Sequence, residues 1–155
     1  MTKVEQQLQT LGLELPQAAV PQANYVPVVI NENQAFVAGQ VPFWDGEIKY
    51  RGLVGRDLSV EQGQEAARLC ALNILAQLKL ALGGDLDRIV RIVKLGGFVA
   101  CDAEFNEQHL VMNGASDLFG TLFGEAGKHA RFAAGAPSLP LASAVEVDAL
   151  VQVVV

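Results

Sequence analysis

Apolar residues at Val4, Leu8 and Leu11 recur at helical spacing and predict a short amphipathic helix over residues 3–13, which Pro16 and Pro21 end. The period then changes. Residues 26–30 and 35–40 read as two strands. Asn31, Glu32, Asn33 and Gln34 between them supply turn chemistry, so the pair predicts a hairpin. Residues 41–46 read as a loop that displays Phe43 and Trp44 and turns at Asp45-Gly46, and residues 48–54 as a third short strand.

Ser59 with Gln62 three residues on has the form of a capping box, and an Ala- and Leu-rich helix is expected over 60–82, closed by Gly83-Gly84. This helix is apolar nearly all round, so it should be buried on a broad face. Residues 89–100 are rich in β-branched side chains and read as a strand with a bulge at Gly96-Gly97. Asp102 can cap a second long helix over 103–123, with Leu118, Phe119, Leu122 and Phe123 as its core stripe and Gly124 and Gly127 as its end. Residues 130–135 and 144–155 are the last two strands. The order hairpin, helix, strand, helix, two strands predicts an α/β (α+β) chain in which two helices cover one face of a mixed sheet. No repeat or linker interrupts it, so residues 1–155 read as a single domain with an extra N-terminal helix.

Composition adds a partner to this picture. Of the 155 residues 51% are hydrophobic and 18% charged, against an average charged share of about a quarter. The surplus apolar surface and the uncovered sheet face both ask for a second subunit. Net charge is −6, the pI about 4.8 and the mean hydropathy +0.29. Lys and Arg are scattered, so no nucleic-acid partner is expected. Cys70 and Cys101 have no second thiol or histidine at ligand spacing; two reduced core thiols and no metal are expected. The N-terminus carries no continuous apolar leader pattern and no run approaches about 18 apolar residues, so no membrane span is expected and the cytoplasm is the expected compartment.

Three segments resemble the YjgF/RidA (reactive-intermediate deaminase, endoribonuclease L-PSP-like) family. The first runs from Tyr25 through Gly39-Gln40-Val41-Pro42. The second is Asn113 within Val111-Met112-Asn113-Gly114. The third joins Ala130-Arg131, Leu139-Pro140 and the run Val145-Glu146-Val147-Asp148-Ala149. The resemblance spans about five-sixths of the chain. It implies a chorismate mutase-like fold, a homotrimer and three sites in clefts between subunits. It further implies that Arg131 binds the carboxylate of a small 2-imino or 2-enamino acid while Glu146 positions the water that hydrolyses the imine to a 2-keto acid and ammonia. Tyr25, Gly39 and Asn113 are then substrate-binding. Two departures mark a divergent branch: Ala38 stands where relatives often carry serine, and Ala133 where they often carry cysteine.

The residues themselves allow the same chemistry. A guanidinium in the apolar run Ala130–Gly135 needs an anionic partner, and its planar fork suits a carboxylate. That partner is either a ligand or an Asp or Glu across a subunit interface. Glu146 alternates with valines and suits general-base work, or it belongs to a solvated strand face. His129 shares a strand face with Arg131 and is either an acid–base partner or a surface histidine. Phe43 and Trp44 line the cleft or fill an interface. Imine hydrolysis needs little beyond orientation of water and carboxylate, so no cofactor is expected. The leading expectation is a 2-imino acid deaminase. The alternatives are a non-catalytic binder or sensor of small carboxylate metabolites, motivated by Ala38 and Ala133, and an endoribonuclease.

Overall fold

The computed structural model describes residues 1–20 and 23–155. The N-terminal helix α1 is Lys3–Thr10, shorter than expected: Thr2 and Glu5 form a capping box at its start, and Leu11 is already its C-cap and exposed. Val4 and Leu8 are buried. Backbone N–H groups of Lys3 and Val4 donate to the Asp87 carboxylate at 2.9 and 3.3 Å, which ties the helix start to a distant loop. The expected break at Pro16 lies in irregular chain; the one at Pro21 lies outside the described residues.

Strands β1 (Val28–Asn31) and β2 (Gln34–Gln40) form the expected hairpin. Residues 43–48 correct the sequence reading. Phe43–Trp44 and Glu47–Ile48 are themselves strands, β3 and β4, paired in a small hairpin around Asp45-Gly46, whose positive φ angles of 51° and 80° suit a tight turn. The third strand expected over 48–54 does not form. That stretch makes only isolated bridges at Arg51 and Val54, and Tyr50 at φ 59° bends it away from extended geometry.

Helix α2 (Val60–Ala81) starts on the Ser59/Gln62 capping box and ends before Gly83-Gly84, as the pattern indicates. Its buried side extends from Ala66 to Leu78 and includes two amides, Asn73 and Gln77. Strand β5 (Ile89–Ala100) is an interior strand, one place in from the sheet edge. Its irregularities against the last strand fall between Ile89 and Arg91 and between Ile92 and Lys94 rather than at Gly96-Gly97. The glycines instead make room: a Cβ at Gly97 would overlap the Met112 sulfur. Helix α3 (Gln108–Phe123) begins five residues later than expected. Glu107 precedes it, and Asp102 belongs to a turn whose carbonyl accepts from Phe105 N–H. Within its apolar stripe Leu118 and Phe119 are buried, whereas Leu122 and Phe123 are half-buried. Strands β6 (Ala130–Ala136) and β7 (Val145–Val153) complete the chain.

The five-stranded sheet has the order β1-β2-β7-β5-β6. Only β5 and β6 run parallel, which requires a crossover; α3 supplies it. Helices α2 and α3 cover one face. Ala35, Val37, Ile92, Leu95, Val99 and alternate residues of β7 from Val145 to Val153 point into this layer and are buried. The helices approach closely because residue 114 is glycine: a Cβ there would overlap the Gln64 carbonyl. The opposite face carries exposed Phe36, Phe98 and Phe132, with Glu146 and Asp148 on β7. No helix of the described residues is long and apolar enough to cross a membrane.

Candidate functional site

Register decides where Arg131 points. On β6 it pairs with Leu95 of β5, a residue buried under the helices, so its side chain leaves the sheet on the helix side. Because β6 is an edge strand, the guanidinium stays partly accessible. Nη1 donates to Asn113 Oδ1 at 3.0 Å and to Ser116 Oγ at 3.1 Å, and Nη2 donates to the His109 carbonyl at 3.3 Å. All three acceptors are neutral and all lie on α3. Among the described residues no ion pair involves Arg131. The Nε proton and one Nη2 proton remain, two donors, the number a carboxylate uses in a bidentate pair.

His129 does share this environment. Its Nδ1 lies 2.6 Å from the Gly127 carbonyl and its Nε2 2.9 Å from Ser116 Oγ. A carbonyl only accepts, so Nδ1 carries the proton of the neutral ring, and Ser116 donates its hydroxyl proton to Nε2. Ser116 therefore accepts from Arg131 and donates to His129, joining two residues two positions apart on the strand. These three side chains, with Gly120, Gly127 and Lys128, line a cleft of about 330 Å³. Ser116 was not singled out from the sequence. The available signal was its spacing, three residues after Asn113 and hence on the same helical face.

Glu146 lies elsewhere. It pairs with Phe98 of β5, whose side chain is on the open face, so Glu146 also points there, half-buried and next to Asp148. Burial, and then the Asp148 charge, push its carboxyl above the ordinary value. Gly39 on β2 faces it: a Cβ at that position would overlap Glu146 Oε1. Tyr25, Gly39 and Phe43 line a second groove of about 420 Å³, together with Ile48, Gln77 and Leu141. Trp44, the other aromatic of β3, is not among its lining residues.

Within one chain the candidates thus form two groups. Arg131, Asn113 and His129 lie on the α3 side of the sheet edge. Tyr25, Gly39, Phe43 and Glu146 lie around β2 and the open face. The two departures are alanines in both groups: half-buried Ala38 beside Gly39, and half-buried Ala133 two residues beyond Arg131.

Comparison with known proteins bears on the family and the fold. The family model described as "YjgF/chorismate_mutase-like, putative endoribonuclease" matches residues 5–153. Protein TCP17 of Trypanosoma cruzi is 50% identical over 151 residues, which is 97% of this chain and 94% of that protein. The crystal structure of Atu1372 from Agrobacterium tumefaciens is 53% identical, covers 98% of this chain and 93% of its own, and superposes with a TM-score of 0.93. A Shewanella oneidensis protein, described as an endoribonuclease of the same provisional kind, is 39% identical over 97% of this chain and 99% of its own, with a TM-score of 0.93. With the family model matching nearly end to end and relatives of this identity covering the whole fold, the chain belongs to the YjgF/chorismate mutase-like family.

Proposed function

We propose that the protein hydrolyses small 2-imino acids to 2-keto acids and ammonia, at sites each completed by two protomers of a homotrimer. The observation that carries this reading is the hydrogen bonding of Arg131. Its guanidinium is oriented by three neutral acceptors and meets no carboxylate of its own chain among the described residues. A cation fixed in place with two unspent donors at a cleft mouth is suited to the carboxylate of a guest.

The second requirement is a base beside the imine carbon. Glu146, with its pKa raised by burial, fills the space that the missing side chain of Gly39 leaves, which holds its carboxylate at the edge of the groove. Such a carboxylate takes a proton from water as the oxygen adds to the C=N carbon, and the nitrogen gains a proton to give the carbinolamine. Loss of ammonia then leaves the 2-keto acid. Tyr25 and the Gly39 backbone bound the pocket on this side. The Arg131 and Glu146 side chains leave opposite faces of one sheet, so a guest touching both calls for the arginine edge of one protomer against the open face of another. The exposed Phe36, Phe98 and Phe132 give that face the apolar character of an interface.

The test is loss of imine formed in situ by an amino-acid oxidase, with and without the purified protein. Acceleration that disappears in Arg131→Ala is the expected result. Equal rates for buffer, wild type and variant reject the reading. Saturable binding of 2-keto acids without turnover would instead favour a metabolite binder, the reading that Ala38 and Ala133 motivate. The family description favours a third reading, RNA cleavage. Its test is nuclease activity that co-purifies with the protein and vanishes in Arg131→Ala.

A further inference from the structure

The groove at Tyr25 and Gly39 is walled mostly by apolar side chains: Pro27, Val41, Phe43, Ile48 and Leu141. Two buried amides of α2 hold its walls. Asn73 Nδ2 donates to the Phe43 carbonyl at 2.8 Å, and Gln77 Nε2 donates to the Ala19 carbonyl at 2.7 Å. These residues are only 1% and 2% exposed. One anchors the β3–β4 hairpin and the other the arm that follows α1, so the groove is built from tethered parts.

Its rim is strained. Leu141 and Ala142 adopt left-handed φ angles of 60° and 58°, and Tyr50, at 59°, is bonded to the same loop through Ala144 N–H to Tyr50 O at 3.0 Å. Gly52 N–H to Ala142 O, also 3.0 Å, adds a second tie. Left-handed geometry is unfavourable for residues with a Cβ and persists where the surroundings impose it, typically at ligand clamps. Here it presents a leucine side chain that is 63% exposed and lines the groove. Gly39 belongs both to this groove and to the contact with Glu146, so the apolar space begins beside the carboxylate that would handle water. A volume of about 420 Å³ is at the small-ligand end of binding pockets.

We propose that this groove is a side-chain pocket, and that the protein selects 2-imino acids with bulky apolar side chains, branched aliphatic or aromatic, over those with one-carbon side chains. The proposal rests on the deaminase reading for its reaction but not for its binding test. Imines are generated in situ from alanine, leucine and phenylalanine. The expected kcat/KM for the leucine and phenylalanine products exceeds that for the alanine product by about ten-fold or more, the discrimination that added methylenes give in an apolar pocket. Leu141→Ala and Phe43→Ala lower this ratio toward one, with circular dichroism reporting the fold; Leu141 is exposed, so its variant tests the pocket even if the Phe43 variant unfolds.

Calorimetry with pyruvate, 4-methyl-2-oxopentanoate and phenylpyruvate gives a reading independent of turnover. A rate ratio that is flat or falls with side-chain size, in a protein whose turnover Arg131→Ala abolishes, overturns the pocket and leaves the deaminase standing. No turnover, but keto-acid affinity that rises with side-chain size and falls in Leu141→Ala, supports the pocket and overturns the deaminase. Absence of both overturns both.

Discussion

Arg131 and Glu146 project from opposite faces of one five-stranded sheet. Arg131 pairs with Leu95 and Glu146 with Phe98, and those two positions on β5 are three apart, an odd spacing that alternation turns into opposite directions. If one ligand uses both residues, they come from different protomers. Co-expression of Arg131→Ala with Glu146→Gln then restores activity that neither variant has alone. In a cyclic trimer every mixed assembly contains one intact site, so random mixing returns about a quarter of wild-type activity. Separately purified and unmixed variants stay inactive. Mixed assemblies with no activity would show that both residues serve the same chain's site.

Gly39 is required by its neighbour rather than by its backbone, whose φ is not in the left-handed region. In Gly39→Ala the new methyl group displaces the Glu146 carboxylate. The expected outcome is a fall in kcat of roughly a hundred-fold, the scale of a lost general base, with a melting temperature close to wild type. Steady-state kinetics and a thermal scan check the two halves.

Asn113 and Ser116 both accept hydrogen bonds from Arg131 Nη1, which suits them to aim the guanidinium. Asn113→Ala removes an acceptor from Nη1 and frees the guanidinium to swing. We expect KM for the imino acid to rise about ten-fold, with a smaller change in kcat, as loss of ground-state orientation predicts. Ser116→Ala breaks the bond to Arg131 and the bond to His129 together, and should act in the same direction.

The pH dependence follows from Glu146. Burial and Asp148 raise its pKa above the ordinary value of 4.5. The base form is the ionised one, so turnover should rise with pH through a limb that lies above the ordinary carboxylate range. Glu146→Gln removes that limb along with most of the activity. A pH–rate profile of kcat/KM, corrected for uncatalysed hydrolysis, measures it.

Stability has a separate acidic dependence at α1. The Lys79 ammonium, bonded to Glu5, and the Thr2 backbone N–H pull the Glu5 carboxyl down to about 2. A depressed acid stabilises the folded chain above its unfolded pKa and loses that contribution as pH falls through its folded value. Glu5→Gln should therefore cost about 1 kcal/mol at neutral pH, since Lys79 is 43% exposed and well screened. The difference from wild type should shrink as pH falls from about 4.5 to about 2 and vanish below that. Denaturant titrations across that range check the sign.

Much of this protein is local and was legible in the chain. The capping box at Ser59, the period of α2, the alternation of β7 and the run around Arg131 depend on neighbours within a few residues, and each element formed where that local chemistry placed it. The hairpin at 43–48 and the late start of α3 were not legible. Two-residue strands have no periodicity to read, and Asp102 is drawn into a turn instead of capping the helix.

The site divides in the same way. The residue types were visible in order along the chain, and the family resemblance singled out Arg131 and Glu146 among them. Only tertiary structure decided that strand register sends one to the helix side and the other to the open face. It also decided that Ser116 bridges Arg131 and His129, and that Asn73 and Gln77 reach across to tether the walls of the apolar groove. Direction out of a sheet depends on pairing, and tethering depends on which distant backbone a buried amide meets. Neither quantity exists until the chain has folded.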